Sequence, residues 1–330
     1  MRNRSRRDLL VLASSALATK ALTPVSVFAQ SVYPDRPIKM IVPFAAGGVV
    51  DVIGRLWADK MRPLLGTVII ENQGGAGGSI GAAEVARAVP DGYTLLLGNT
   101  STQVLIPAIM PRPPYDPAKD FVAISIVANS AISIGVHPSL PARNLTELIA
   151  HIKANPGKMS YGSAGAGTFT NLAGEMFKQM AGTRDLTHIP YRGGGPVIAD
   201  VVSGHIPMMA INITNNVIEL HKTGKIRLVA VFTPKRLKVL PDVQAASETL
   251  SSLIAALFIG VFAPAATPKA IIDRVAQANR TAITSEDFKS KLIASGFEPL
   301  FDTPEEAQRF VQAEHARIIP LVKSLDFKLQ

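Results

Sequence analysis

Two stretches of this 330-residue chain join glycine and small side chains to the start of a helix, and neither contains a lysine or an arginine. The first is Phe44-Ala45-Ala46-Gly47-Gly48-Val49-Val50-Asp51, and the second is Ser163-Ala164-Gly165-Ala166-Gly167-Thr168. Where a helix begins after a glycine turn, unpaired backbone N–H groups and the positive end of the helix dipole converge, and glycine has no side chain to block a ligand. The chemistry on offer is capture of an anion by backbone amides, with Ser163 and Thr168 as hydrogen-bond donors. One such loop alone reads more simply as a tight strand-to-helix turn. A second, well over a hundred residues further on and beyond a long apolar strand, points to two domains that each present a helix N-terminus to one cleft.

Other chemistries lack their residues. The glycine loops at 74–79 and 165–170 do not complete G-x-G-x-x-G, and no G-x-x-x-x-G-K-[ST] occurs, so no nucleotide cofactor is expected. The six histidines, His137, His151, His188, His205, His221 and His315, are dispersed without H-E-x-x-H spacing, and no metal site is expected. Tyr161-Gly162-Ser163-Ala164-Gly165 lacks the G-x-S-x-G elbow of a serine hydrolase. Ser163 with a distant histidine such as His188 stands as the enzymatic alternative. Asp51 is the one acid close to a candidate loop, and the helix dipole favours it in a first turn. The chain has no cysteine, which excludes disulfides, thiolate metal sites, a cysteine nucleophile and a lipidated cysteine anchor.

Strands must stand behind these loops. Ile38–Val42 is apolar apart from Lys39 and rich in β-branched residues, as a buried parallel strand requires, and Pro43 ends it. Val52, Ile53, Leu56 and Trp57 recur at helical spacing, so a helix starts close to Gly48. The pattern repeats as a strand at 67–71, a glycine loop at 72–79, a helix at 80–89, and a strand at 93–97 that ends in Gly98-Asn99-Thr100-Ser101-Thr102. Such alternation predicts a parallel sheet with helices on both faces and ligands outside the carboxyl ends of the strands. Phe121–Val136 is an apolar strand or strand pair long enough to cross between domains. Asn144 and Glu147 cap a helix at Leu145–Ala154. The second loop then leads into a helix carrying Leu172, Ala173, Met176, Phe177 and Met180. Another strand and glycine turn at 188–196 follows, then strands at 206–213 and 226–232, a returning crossover at 260–264, and closing helices at Lys269–Ile283, 286–295 and 304–323.

Composition agrees: 47% hydrophobic and 18% charged residues, with 25 Gly and 24 Pro, describe an ordered, loop-rich α/β protein long enough for two cores. Residues 1–29 carry a basic start, an apolar run at 9–18 and Val27-Phe28-Ala29, and they read as an export signal. Ser5-Arg6-Arg7-Asp8-Leu9-Leu10 resembles a twin-arginine motif and leaves the export route open. Removing this segment takes five basic residues and one acidic residue from a net charge of +9, leaving +5. The remaining basic residues are scattered and not interleaved with aromatics, so nucleic acid is not an expected partner. The uncharged run at 250–267 is broken by Ser251, Ser252, Gly260 and Pro264, and it reads as buried strand, not membrane span.

Successive short motifs carry a resemblance. Tyr33-Pro34-Asp35-Arg36-Pro37-Ile38, Val42-Pro43-Phe44 with Gly47, Gly48 and Asp51, and Glu71-Asn72 with Gly74, Ala76, Gly77 and Gly78 come first. Pro90-Asp91-Gly92-Tyr93, Tyr161-Gly162-Ser163-Ala164-Gly165, Pro190-Tyr191-Arg192-Gly193, Gly224-Lys225-Ile226-Arg227 and Leu240-Pro241-Asp242-Val243 follow in order. Together they resemble the tripartite tricarboxylate transporter receptors, the Bug family. The resemblance implies a type II periplasmic binding fold whose two α/β lobes, joined by two crossover strands as hinge, close on a small organic carboxylate. It implies delivery to integral-membrane transporter subunits, with no catalysis and no cofactor. A periplasmic receptor that feeds a signalling protein is the alternative within that class.

The expected lobes are residues 30–128 with 258–330, and residues 129–257, in a soluble periplasmic monomer without a lipid anchor. The expected ligand-binding residues are Phe44, Ala46, Gly47, Gly48, Asp51, Asn99, Thr100, Ser101, Ser163, Ala164, Gly165, Thr168 and Asn212. Two positions depart from the family pattern: Val50 where threonine is common, and Ile211-Asn212 where an Asp-Asn pair is common. Loss of that acid argues against a cationic ammonium group on the ligand and for a plain carboxylate with an apolar or aromatic body.

Overall fold

The computed structural model describes residues 33–300, 303–325 and 327. The expected export signal at 1–29 lies outside the described residues.

Three strand-to-helix units open the chain, as the alternation predicts. β1 (Ile38–Val42) feeds α1 (Val49–Leu65), and β2 (Val68–Asn72) feeds a 3₁₀ turn at Ala76–Gly78 and α2 (Ser79–Ala86). β3 (Thr94–Asn99) runs into a π-helical turn at Ser101–Leu105 and the short α3 (Ile106–Ile109). β1 lies between β2 and β3 and parallel to both. Only Lys39 interrupts its burial, and its ammonium reaches out to Glu71 at 3.2 Å and Glu84 at 2.9 Å. A strand covered on both faces has to be apolar almost throughout, which is what made it readable.

After α4 (Pro117–Asp120), β4 (Phe121–Val136) is one continuous strand, not a pair. Its first part pairs with β9, and from Ile132 onward it pairs with β7 and β8. A second set of units follows: α5 (Leu145–Ala154), β5 (Ser160–Ser163), α6 (Phe169–Ala181), β6 (Thr187–Pro190), α7 (Gly194–Val202), β7 (Met208–Asn212), α8 (Asn215–Lys222) and β8 (Arg227–Val231). Asn144 caps α5 by accepting from the Glu147 N–H at 2.9 Å, while the Glu147 carboxylate takes the Arg143 N–H at 2.7 Å. β9 (Ala256–Pro264) is the returning crossover, and α9 (Lys269–Ile283), α10 (Glu286–Ala294), β10 (Phe297–Pro299) and α11 (Pro304–Ser324) close the chain.

The sheet order is β2-β1-β3-β9-β4-β7-β5-β6, with β8 and β10 also paired to β4. It is parallel at both ends, as the strand-to-helix alternation predicts, and antiparallel around the two crossover strands β4 and β9. The cause is connectivity: β9 brings the chain back and so runs against both of its neighbours. The uncharged run at 250–267 contains β9, buried almost completely, and no described helix is long and apolar enough to cross a membrane. Beneath the amino-terminal loops, the Trp57 indole donates to Asn279 Oδ1 at 2.7 Å, and Asn279 Nδ2 donates to Ser125 Oγ at 2.6 Å. This buried relay ties α1 to α9 and β4, so the loop that opens α1 rests on a fixed support.

Candidate functional site

At the carboxyl ends of β1, β3, β5 and β7 lies a cleft with about 440 Å³ of space between protein atoms, its mouth included. Phe44, Gly48, Val49, Val50, Asn99 and Ser101 line it from the amino-terminal units; Ala164, Thr168, Thr170, Gly194, Ile198, Ile211, Asn212 and Thr214 line it from the second set, and Leu257 comes from β9. Among the described residues, none that lines it carries a charged side chain.

The potential in the cleft comes from backbone. α1 starts after Gly48, α6 after Thr168, α7 after Gly193 and α8 after Thr214, so four helix N-termini converge there. Thr168 and Thr214 cap their own helices through their hydroxyls. Gly48 and Gly193 have no side chain to do so, which leaves the first-turn N–H groups of Val49 and Val50 on α1, and of Gly194 on α7, without a side-chain cap. Each helix end carries roughly half a positive charge, and two such ends facing one another call for an anion between them.

Side chains complete the donor set. Asn99 lines the cleft, and its Oδ1 caps the Thr102 N–H at 3.1 Å. Asn212 is anchored by its amide donating to Ser130 O at 3.2 Å. Ser101 Oγ accepts the N–H of Phe169, the first residue of α6, at 2.9 Å, so its own hydroxyl proton remains available to a ligand. The loop before α6 is braced internally: Thr168 Oγ1 donates to Gly165 O at 2.7 Å, and Ala164 N–H donates to Thr170 Oγ1 at 3.0 Å.

Glycines let the two halves meet. The Ala45 N–H donates to Arg192 O at 3.0 Å across the cleft. A Cβ on Gly48 would lie 3.2 Å from Gly194 N, one on Gly193 2.8 Å from Ala45 N, and one on Gly74 2.8 Å from Arg192 O. The missing side chain at Gly48 thus makes room for the facing loop as well as for a ligand.

Of the expected residues, Phe44, Gly48, Asn99, Ser101, Ala164, Thr168 and Asn212 come together on this cavity; Asp51, Thr100 and Ser163 are buried and do not line it, Ala46 and Gly47 are exposed, and Gly165 lines an adjoining cavity. The carboxylate of Asp51 accepts from Gly47 N–H at 2.9 Å, from Asn72 Nδ2 at 3.0 Å and from Arg55. Burial alone would raise its pKa, but the hydrogen bonds from Arg55, the Gly47 amide and Asn72 outweigh burial and hold it below the usual carboxylate range. Asp51 therefore shapes the glycine turn and uses up the Gly47 amide. Thr100 Oγ1 accepts from the Phe258 N–H at 3.0 Å.

Ser163 does meet His188, with Oγ 2.7 Å from Nε2. Its hydroxyl is fully buried, also bonds the backbone of Gly165, and does not line the cavity, so no electrophile reaches it from the cleft. Burial pushes His188 down to about 4.

Val49, Thr170, Gly194, Ile198, Thr214 and Leu257 line the cavity without having been expected there. Gly193-Gly194-Gly195 and Thr214 obey the same helix-entry rule as Gly48 and Thr168, so the signal for them is in the sequence. Leu257 has none, because its place depends on how β9 packs between β3 and β4.

The profile of the family described as "Tripartite tricarboxylate transporter family receptor" matches residues 53–327. Protein BugT of Bordetella pertussis is 32% identical over 328 residues, covering 98% of each chain. The structure of the periplasmic binding protein BugD matches with a TM-score of 0.86 and 34% identity over 90% of this chain and all of that one. R. palustris Rpa4515, solved with adipate, also matches with a TM-score of 0.86, at 30% identity over 90% of this chain and 99% of that one.

Proposed function

The chain belongs to the tripartite tricarboxylate transporter receptors, the Bug family, and from that premise we propose that its cleft takes up a small organic carboxylate between two closing lobes. The observation that carries this reading is the convergence of four helix N-termini on a cavity without one charged side chain. A carboxylate there accepts from the amides of Val49, Val50 and Gly194 and from Asn99 and Ser101, while an apolar body packs against Ile198, Ile211 and Leu257. The adipate held by the R. palustris relative supports this ligand class.

Of the described residues, those within 30–128 and 258–330 form one lobe and residues 129–257 the other, with β4 and β9 as the hinge. The protein works in the periplasm as an exported, unanchored monomer that hands its ligand to integral-membrane transporter subunits. It performs no catalysis. Ser163 and His188 act on each other, buttressing the second loop.

Thermal-shift titration of the protein lacking residues 1–29, against a panel of small carboxylates and their primary amides, tests this. A melting temperature that climbs with the concentration of a carboxylate, and not with its amide, is the expected result. A response to nucleotides with none to any carboxylate would refute it.

A further inference from the structure

The two crossover strands have a second face. Their antiparallel pairing sets Ser130 opposite Leu257 and Ala131 opposite Ala256. Paired residues share a face of a sheet, and chain neighbours take opposite faces. Leu257 lines the ligand cleft, whereas Asn129, Ala131 and Ala256 floor a groove behind it, with about 1160 Å³ of space including its opening to solvent.

The walls of this groove belong to different lobes. Pro234, Leu237 and Lys238 after β8, with Ile254 before β9, stand on one side; Ile293 of α10 and Phe297–Pro299 of β10 stand on the other. Ile254 and Ile293 are 43% and 45% exposed, so apolar surface from both lobes faces water across the groove. The walls also carry opposite charges. Glu298 pairs in register with Asn129 of the groove floor, Lys238 stands on the facing wall, and both are exposed and outside the ion pairs of the described residues.

Hinge geometry explains why such a surface is left bare. When two lobes turn about strands that carry a cleft on one face and a groove on the other, narrowing one widens the other. The Ala45 to Arg192 hydrogen bond marks the cleft as closed in this structure, and the groove is correspondingly wide. Opening the cleft buries Pro234, Leu237 and Ile254 against Ile293 and Pro299, and brings Lys238 towards Glu298.

We propose that the groove is the contact surface of the open state: its walls meet when the cleft opens, Lys238 pairs with Glu298, and this contact holds the empty receptor open and sets its affinity. It rests on the reading of two closing lobes above and adds the counterweight to closure. Ligand binding has to break the contact, so apparent affinity is reduced to the extent that the contact keeps molecules open.

Charge reversal tests the pair without touching the cleft. In calorimetric titrations with succinate, benzoate and hexanoate, Glu298→Lys tightens binding of whichever the unaltered protein takes by about two- to tenfold, because a surface attraction becomes a repulsion of similar size in the open state alone. Adding Lys238→Glu restores the unaltered affinity. Small-angle X-ray scattering without ligand shifts toward the ligand-bound profile in Glu298→Lys and returns in the double variant. If ligand compacts the unaltered protein but Glu298→Lys binds equally or more weakly, or the double variant fails to revert, the groove has no such role and closure stands. If ligand leaves the scattering of the unaltered protein unchanged, or none of the three carboxylates binds, the underlying reading fails and this proposal with it.

Discussion

Gly195→Ala separates folding from closure. Gly195 is the second residue of α7, in ordinary helical conformation, so alanine suits the local backbone and adds up to about 1 kcal/mol of helix propensity. In the closed arrangement, however, a Cβ there falls well inside van der Waals contact with the carbonyl oxygen of Ala46 on the facing loop. Backbone on both sides leaves nothing flexible to yield. Overpacking of this kind costs ~1–3 kcal/mol, and here only the closed form bears it. Apparent affinity for a carboxylate therefore drops about 5- to 150-fold, because the competent state is populated less. Calorimetry gives the affinity, and thermal melting without ligand gives the stability. The expected pair of results is weakened binding with a melting temperature equal to or above that of the unaltered protein. Unchanged affinity would mean that ligand is bound without the two loops meeting, and the seam would have no part in recognition.

Other perturbations probe the donors and the loop behind them. Ser101→Ala leaves the Phe169 N–H unpaired and removes a donor to the ligand, so binding weakens by ~1–3 kcal/mol in a titration; an unaltered dissociation constant contradicts the assignment. Asn212→Ala weakens binding by a similar ~1.5–3 kcal/mol, while Ser163→Ala, which touches His188 and not the cavity, lowers the melting temperature more than the affinity. Stability also depends on pH through His188. Its imidazole titrates near 6.5 when unfolded and near 4 when folded, so the unfolded chain takes the proton first as pH falls. The contribution is complete above about pH 6.5, is lost on the way down to about 4, and then levels off. Melting curves of His188→Gln lose that slope, and a slope that persists would place the titrating group elsewhere.

Most of the frame was legible because its strands are buried on both faces. Ile38–Val42 and Phe121–Val136 had to be apolar almost throughout, and glycine or an Asx or hydroxyl residue had to stand where helices begin. The same rule located Gly48, Thr168 and Asn99 on the cavity. Adjacency in sequence was the weaker guide. Gly47, Asp51 and Ser163 sit beside cavity residues in the chain, yet their polar groups point into the turns and are consumed there. The antiparallel centre of the sheet was hidden as well, because strand direction is set by where the chain comes from and not by the composition of the strand. The dual use of the glycines, space for an anion and space for the opposing loop, became visible only with both halves in place.

The central claim is that an anion is held by backbone amides between helix N-termini that no lysine or arginine supports. The crystal structure of the complex with a bound carboxylate tests it most directly. The carboxylate is expected within hydrogen-bond distance of the amides of Val49 or Val50 and of Gly194, with the Ala45 to Arg192 hydrogen bond formed. A carboxylate bound outside this cavity, or held there by a charged side chain swung in from elsewhere, would contradict it.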